Sequence, residues 1–514
     1  MTRLFIVAPL VALVAAVGGA ATSLAAPGDE GAGAPPPELT AFASQWPAHN
    51  LDLANTRATT ASAIDAANVA QLKPKWRLKL TGTGAFGAFS STPIVLGDTV
   101  YLQDLSSDVY AINRASGVLR WKHRFKSPSI GPNGVAYGYG KLFGATETSA
   151  FALDPSDGHV LWSRKLTRNA KEGIDMTPVV YNGTVLVSTI PGNAKSFYAG
   201  NGDGIVWDLD AARGKTKWKF NTLATGGKLW GNPKVNSGGG LWYPPAVDSK
   251  GRVFLSVANP APLYGTKKYP NGSSRPGKNL YTDSVVALNG QTGKLLWYQQ
   301  IFPHDVRDYD VMIPAIVTTA NLKGTETEVV LGATKGGKAF AFRADNGKRL
   351  WTLSVGSHKH DSGSLPKKPI SILPGDLGGV ETPMALADNR LFVPYVNLAV
   401  TASATGPTGG LNFKTGGGGL TAVNATTGKA VWQHKLPTMD FGGAAVANDV
   451  VFTSDYAGTV YALDTQTGKT LWTATAPAGI NSFPAVDGNT LLVGAAAAGF
   501  SKNPQFQLIA YSLQ

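Results

Sequence analysis

The chain has no cysteine among its 514 residues. That excludes disulfide staples, thiolate metal centres and a C-x-x-C-H haem attachment. Long apolar runs are scarce as well. The run Leu4 to Val17 is too short to cross a bilayer, and no later stretch reads as a membrane span. Charged residues make up only 15%, yet Lys and Arg outnumber Asp and Glu by 46 to 33, a formal net charge of +13. A surplus of that sign favours anionic partners: a cell surface, an acidic cofactor or an acidic redox partner. Nucleic acid is not expected, because the basic residues are scattered rather than striped along one element.

What is present begins with the order of an export signal. Arg3 precedes the apolar run, and small residues end at Ser23-Leu24-Ala25-Ala26. Residues 1–26 are therefore expected to be a cleaved signal peptide, with a secreted or periplasmic product. The Pro/Gly/Ala-rich stretch that follows, PGDEGAGAPPPE, predicts a flexible linker over 27–45. The fold is expected to occupy 46–514, beginning at Trp46.

One repeat dominates that span. VYAINRASGVLRW, FALDPSDGHVLW, VWDLDAARGKTKW, VVALNGQTGKLLW, AFRADNGKRLW, LTAVNATTGKAVW and VYALDTQTGKTLW each set an apolar run, an Asp or Asn, a Gly turn and a closing tryptophan in one order. Each reads as a hairpin. The closing residues are Trp121, Trp162, Trp218, Trp297, Trp351, Trp432 and Trp472. Trp76, in LKPKWRLKL, lacks its first half, while Phe506 to Leu513, FQLIAYSL, lacks its Gly turn and tryptophan. Two complementary halves predict an all-β, eight-bladed β-propeller of four-stranded antiparallel sheets, its ring closed by pairing the N- and C-terminal strands. The intervals from Trp218 to Trp297 (79 residues) and from Trp351 to Trp432 (81) exceed the others. They predict long loops on a binding face.

The first long interval leads straight into FPHDVRDYD, which packs His304, Asp305, Asp308 and Asp310 into seven residues. That is too acidic for an ordinary strand or turn, and it reads as a site. Upstream lie Gly239-Gly240-Leu241-Trp242 and Ala258-Asn259-Pro260-Ala261-Pro262.

Together the A-x-D-x-x-T-G-K-x-x-W repeats, GGGLW, ANPAP and PHDVRDYD resemble the pyrroloquinoline quinone (PQQ) dependent alcohol dehydrogenases over nearly all the chain from Trp46 onward. The resemblance implies an eight-bladed propeller with PQQ in a central funnel over Ca²⁺ or a lanthanide ion. It implies that Trp242 stacks on the cofactor, that Lys335 bonds its quinone oxygens and that Asn397 is a further cofactor-binding position. It implies that Asn259 and Asp308 are metal ligands, and that Asp310 resembles the additional acid of lanthanide-using members. Asp308 matches the catalytic aspartate, with Asp305 and His304 beside it. Three anchor positions depart from the family pattern: Asn133 stands for an arginine, Ser90 for a glutamate, and Ala199 for the metal-binding glutamate, with Asp203 the nearest acid.

The implied function is oxidation of an alcohol, a polyol or polymeric alcohol included, with electrons passed to an external acceptor such as a cytochrome c. The alternative is a non-catalytic propeller acting as an envelope scaffold or binding module.

Overall fold

The computed structural model describes residues 34–196, 198, 201–223 and 229–514. The expected signal peptide and Ala199 lie outside them. The chain is almost entirely β, and eight sheets with a four-strand antiparallel path follow one another along it. The first is built from Ile94–Leu96, Thr99–Gln103, Val109–Asn113 and Leu119–His123. In the last, the N-terminal strand Lys73–Lys79 pairs antiparallel with Gln507–Ser512, Trp76 opposite Ala510. No helix among the described residues is long and apolar enough to cross a membrane.

Why the repeat takes this shape is visible at its turn. Asn289 Oδ1 accepts hydrogen bonds from the backbone N–H of Gln291 and Thr292 and from the Thr292 hydroxyl, an Asx turn that reverses the strand. Gly293 then adopts φ +67, and a Cβ there would sit 2.5 Å from the Trp218 ring of the preceding sheet. Glycine is required twice over, for its left-handed backbone and for the tryptophan lying on it. The same docking recurs along the chain: Trp76 on Gly117, Trp121 on Gly158, Trp162 on Gly214, Trp297 on Gly347, Trp351 on Gly428 and Trp432 on Gly468. Each indole N–H also donates into the next sheet, as from Trp76 to Arg114 O (3.1 Å) and from Trp218 to Gly290 O (2.9 Å). Trp472 breaks the pattern: it packs edge-on against Tyr511 of the last sheet, which lacks the Gly turn.

The segment from Trp46 to Arg57 joins distant sheets. Asn55 Nδ2 donates to Pro244 O and Ala315 O, while the fully buried Arg57 guanidinium donates to Ala444 O (2.6 Å) and Pro484 O (2.7 Å). Arg57 replaces a salt bridge with carbonyl acceptors, so the buried charge is satisfied without a carboxylate.

The described part of the expected linker is not free. Pro37–Ala41 is a short helix with Leu39 buried, and Glu38 accepts the backbone N–H of Tyr139 and Gly140. Composition alone missed this, because one apolar and one acidic side chain suffice to tie the segment to a neighbouring sheet.

Candidate active site

A cavity of about 270 Å³ is lined by Ser90, Ile130, Trp242, Met312, Lys335, Glu381, Phe441 and Phe483, among others. Nearly every one lies a few residues ahead of the first strand of a sheet: Ser90 before Ile94–Leu96, Ile130 before Ala136–Gly138, Trp242 before Ala246–Val247, Met312 before Ile316–Leu322, Glu381 before Ala385–Ala387. With Phe441 before Ala445–Ala447 and Phe483 before Ala485–Asp487, seven sheets deliver the same short segment to one space, which is how residues far apart in sequence meet.

Trp242 is presented by three consecutive left-handed glycines, Gly238 to Gly240. The Gly239 N–H donates to Asn259 O and the Ala258 N–H to Gly240 O, so GGGLW and ANPAP form one hydrogen-bonded unit. Tyr198 lies parallel to the Trp242 ring, centroids 5.7 Å apart and planes within 10°.

The HDVRDYD turn is organised by Asp305, whose two carboxylate oxygens accept the Arg307 and Tyr309 backbone N–H groups at 2.8 Å. Between them Asp308 is held at φ +65, a conformation that costs energy in a non-glycine residue and is retained where neighbours over-determine it. Asp308 Oδ1 accepts Asn259 Nδ2 and its Oδ2 accepts Lys335 Nζ, both at 2.6 Å. Lys335 Nζ reaches Asp310 Oδ2 at 3.5 Å, and Asp310 Oδ1 accepts the Asn259 backbone N–H at 2.6 Å. All four side chains are buried.

Electrostatics within this cluster are strong. Burial alone would lower the Lys335 ammonium, but the charges of Asp308, Glu381 and Asp310 outweigh it and hold the group well above its ordinary value. Burial pushes the Asp310 carboxyl up to about 8 against the pull of Lys335. Glu381, whose Oε1 is buried without a hydrogen-bond partner, is likewise raised to about 8 by burial, with Lys335 pulling it down. Asp283 sits beneath the turn with both carboxylate oxygens buried and unpartnered, driven upward by burial and by the charges of Asp305 and Asp310.

Trp242 and Lys335 therefore share the cavity, and Lys335 connects it to Asn259, Asp308 and Asp310. Asp305 lies beside the cluster with its oxygens committed to backbone donors. His304 lines a separate cavity, where its Nε2 meets Asn271 O at 2.9 Å. Asn397 is not brought to the Trp242 cavity; it ends the strand Arg390–Asn397, and its Oδ1 accepts the Ser357 N–H. Of the departing anchors, Ser90 lines the cavity and donates to Gly131 O, whereas Asn133 turns away to donate to Asp104 O. Asp203 is engaged by Arg168 at 2.7 Å. Glu381, Tyr198 and Asp283 were not foreseen. The Thr382-Pro383 step, parallel to Thr92-Pro93 and Thr177-Pro178 ahead of other first strands, is the signal that could have found Glu381.

The donor chemistry fits a hard cation. Asn259 Oδ1 is buried without a hydrogen-bond partner beside two carboxylates, and oxygen donors of this kind suit Ca²⁺-like ions. No three His, Cys, Asp or Glu side chains among the described residues are placed to hold a metal, so such a site depends on the Asn259 carboxamide. The flat Trp242 ring with a cation at the cavity wall fits a planar anionic cofactor.

The family model for the β-propeller domain of glucose, ethanol and alcohol dehydrogenases (PQQ) matches residues 46–357, and that for the outer membrane protein assembly factor BamB matches 416–512. The chain is 26% identical over 502 residues to the quinohemoprotein alcohol dehydrogenase ADH IIB of Pseudomonas putida, covering 86% of this chain and 71% of that protein. It is 25% identical over 508 residues to a polyvinylalcohol dehydrogenase of a Pseudomonas species, covering 86% and 70%. Among solved structures, the quinohemoprotein alcohol dehydrogenase ADHIIG of Pseudomonas putida superposes with a TM-score of 0.82 at 22% identity, covering 95% of this chain and 83% of that one. This last likeness concerns the fold.

Proposed function

The chain belongs to the PQQ β-propeller family of glucose, ethanol and alcohol dehydrogenases, and from that membership we propose that it oxidises an alcohol by hydride transfer to metal-bound PQQ. The observation that carries the reading is the buried Asn259–Asp308–Lys335–Asp310 cluster meeting the Trp242 cavity through Lys335. The eight sheets are read as eight blades, the ring closed where Lys73–Lys79 pairs with Gln507–Ser512. The substrate class extends to polyols and polymeric alcohols, the latter in keeping with the polyvinylalcohol dehydrogenase relative. Export to the periplasm or beyond and an external electron acceptor such as a cytochrome c complete the reading.

When bound, PQQ with its cation supplies an electrophilic quinone that accepts two electrons as hydride. Asn259 Oδ1, Asp308 and Asp310 would hold the cation, Ca²⁺ or a lanthanide ion. Asp308 acts as the general base on the substrate hydroxyl, because it is the acid of the turn whose oxygens face side-chain donors that can exchange rather than fixed backbone N–H groups. Lys335 donates to that carboxylate and stabilises negative charge developing at the cavity wall. Asp305 positions Asp308 by bracketing it with two backbone hydrogen bonds. Trp242 offers the flat surface that orients the cofactor, and the apolar lining of Ile130, Met312, Phe441 and Phe483 keeps water from the reacting atoms.

Titration of the protein with PQQ plus Ca²⁺ or La³⁺, followed by quinone absorbance and by reduction of an artificial acceptor on adding alcohol, tests this reading. Binding with alcohol-dependent reduction is expected. Neither binding nor turnover would favour the scaffold alternative, which is supported by the BamB match over 416–512 and by Asn133 at an anchor position.

A further inference from the structure

The net positive charge is not spread evenly around the sheets. The outermost strand of each sheet is the one that carries the repeat tryptophan. In Lys73–Lys79 the exposed residues include Lys73, Lys75, Arg77 and Lys79. Leu119–His123 carries Arg120 and Lys122, Val160–Lys165 exposes Arg164 and Lys165, and Thr216–Asn221 exposes Lys217 and Lys219. None of these four strands contains an acid. The outermost strands of the other four sheets, Leu295–Gln300, Arg349–Ser354, Ala430–Leu436 and Thr470–Thr475, hold only Arg349 and Lys435 between them.

The four basic strands are neighbours. Trp76 donates to Arg114 O, Trp121 to Pro155 O and Trp162 to Ala211 O, so each sheet docks on the next. Asp98 pairs with Arg120 and Asp108 with Lys122, so the second edge is largely neutralised; Asp157 is held by His159, and Asp154 and Asp210 bond within their own turns. Among the described residues no carboxylate comes within ion-pair distance of Lys73, Lys75, Arg77, Lys79, Arg164, Lys165, Lys217 or Lys219. Like charges gathered without counter-ions raise each other's energy, and an anionic partner relieves that repulsion.

We propose that these four consecutive sheet edges form a cationic strip that docks a linear polyanion, a polymer bearing phosphate or sulfate groups. Shape selects the polymer. Successive outer edges of sheets arranged about a common cavity make a convex surface, which a flexible chain can follow and a flat bilayer touches only over a short arc. Position argues against an electron carrier: the strip is the edge of each sheet opposite the segments that line the Trp242 cavity. The strip is independent of the cofactor chemistry.

Binding of dextran sulfate and of long-chain polyphosphate, measured against neutral dextran over a series of salt concentrations, tests the proposal. Two half-strip variants are compared, one with Lys73, Lys75, Arg77 and Lys79 changed to Gln and one with Arg164, Lys165, Lys217 and Lys219 changed to Gln. The control has Lys294, Arg349, Lys429 and Lys435 changed to Gln, the same charge change on the other sheets. All these positions are exposed, and thermal melting checks that each variant folds; one folded half-strip variant is enough. Each half-strip variant is expected to lose at least ~10-fold in affinity at low salt and to flatten the log–log salt dependence by about two or more, whereas the control keeps both. Equal losses in the control, or no binding of either polyanion by the parent, would overturn the proposal. So would binding of vesicles of equal parts phosphatidylglycerol and phosphatidylcholine without binding of the polymers, which would assign the strip to a bilayer.

Discussion

Replacing Asp308 by Asn separates charge from shape at the centre of the site. The parent carboxylate bridges Asn259 Nδ2 and Lys335 Nζ, each at 2.6 Å, and is almost fully buried. An amide of the same size keeps an acceptor for Lys335, and a flip of the Asn259 carboxamide restores a donor–acceptor pair on the other side. The fold should persist. Lys335 retains Asp310 at 3.5 Å, so the stability loss should fall below the ~3–5 kcal/mol of a fully orphaned buried charge. The amide cannot take a proton from the substrate hydroxyl. Loss of a positioned general base predicts a rate reduction of about 10² to 10⁴, or about 3–5 kcal/mol in the barrier. The assay loads parent and variant with PQQ and Ca²⁺ or La³⁺, measures occupancy by absorbance, and then follows dye reduction by alcohol per loaded site. Because the substitution also removes an anion from the cation ligands, turnover must be compared at equal occupancy. A variant equally loaded and within a factor of about ten of the parent would refute Asp308 as the base.

Asp305→Asn should behave differently: one carboxamide oxygen cannot serve both the Arg307 and Tyr309 N–H groups, so a stability loss of about 1–3 kcal/mol is expected, read by urea midpoint, with the pH profile of turnover unmoved. Gly293→Ala places a methyl 2.5 Å from the Trp218 ring at φ +67 and should cost clearly more than Gly324→Ala, where φ is +86 but nothing lies within 4 Å and the backbone alone costs about 1–2 kcal/mol. Equal midpoints for the two would show that the tryptophan docking contributes nothing. Asp208, with both oxygens buried and unpartnered, is raised by burial to about 7. A raised acid holds its proton in the folded state while the unfolded chain releases it, so its presence destabilises increasingly as pH rises from about 4 to about 7 and levels off above. Asp208→Asn should therefore match the parent at pH near 4 and exceed it by a few kcal/mol at pH near 8; a constant offset across that range would refute the assignment.

The repeat was legible in the sequence because its physics is local. An Asn or Asp that caps a turn, a glycine two to four residues later and a tryptophan beyond it are fixed by the hydrogen bonds of one hairpin, and the docking of that tryptophan on the following hairpin repeats the same contact. The complementary halves at Trp76 and Phe506 to Leu513 announced their own pairing for the same reason. GGGLW, ANPAP and HDVRDYD were also visible, since dense glycine and dense acid are unusual wherever they occur.

Tertiary structure decided what those motifs do. Asp305 and Asp308 stand three residues apart and look equivalent in the sequence, yet two backbone N–H groups close on one and a lysine and an asparagine meet the other. Asn397 was drawn away by the Ser357 N–H, and the linker was tied down by Leu39 and Glu38. Glu381 joined the cavity through a segment that carries no local mark beyond a Thr-Pro step. The total charge could be counted from composition, but not its gathering on four neighbouring sheet edges, because the strands that carry it are separated along the chain by whole sheets and become neighbours only when each tryptophan finds the next glycine.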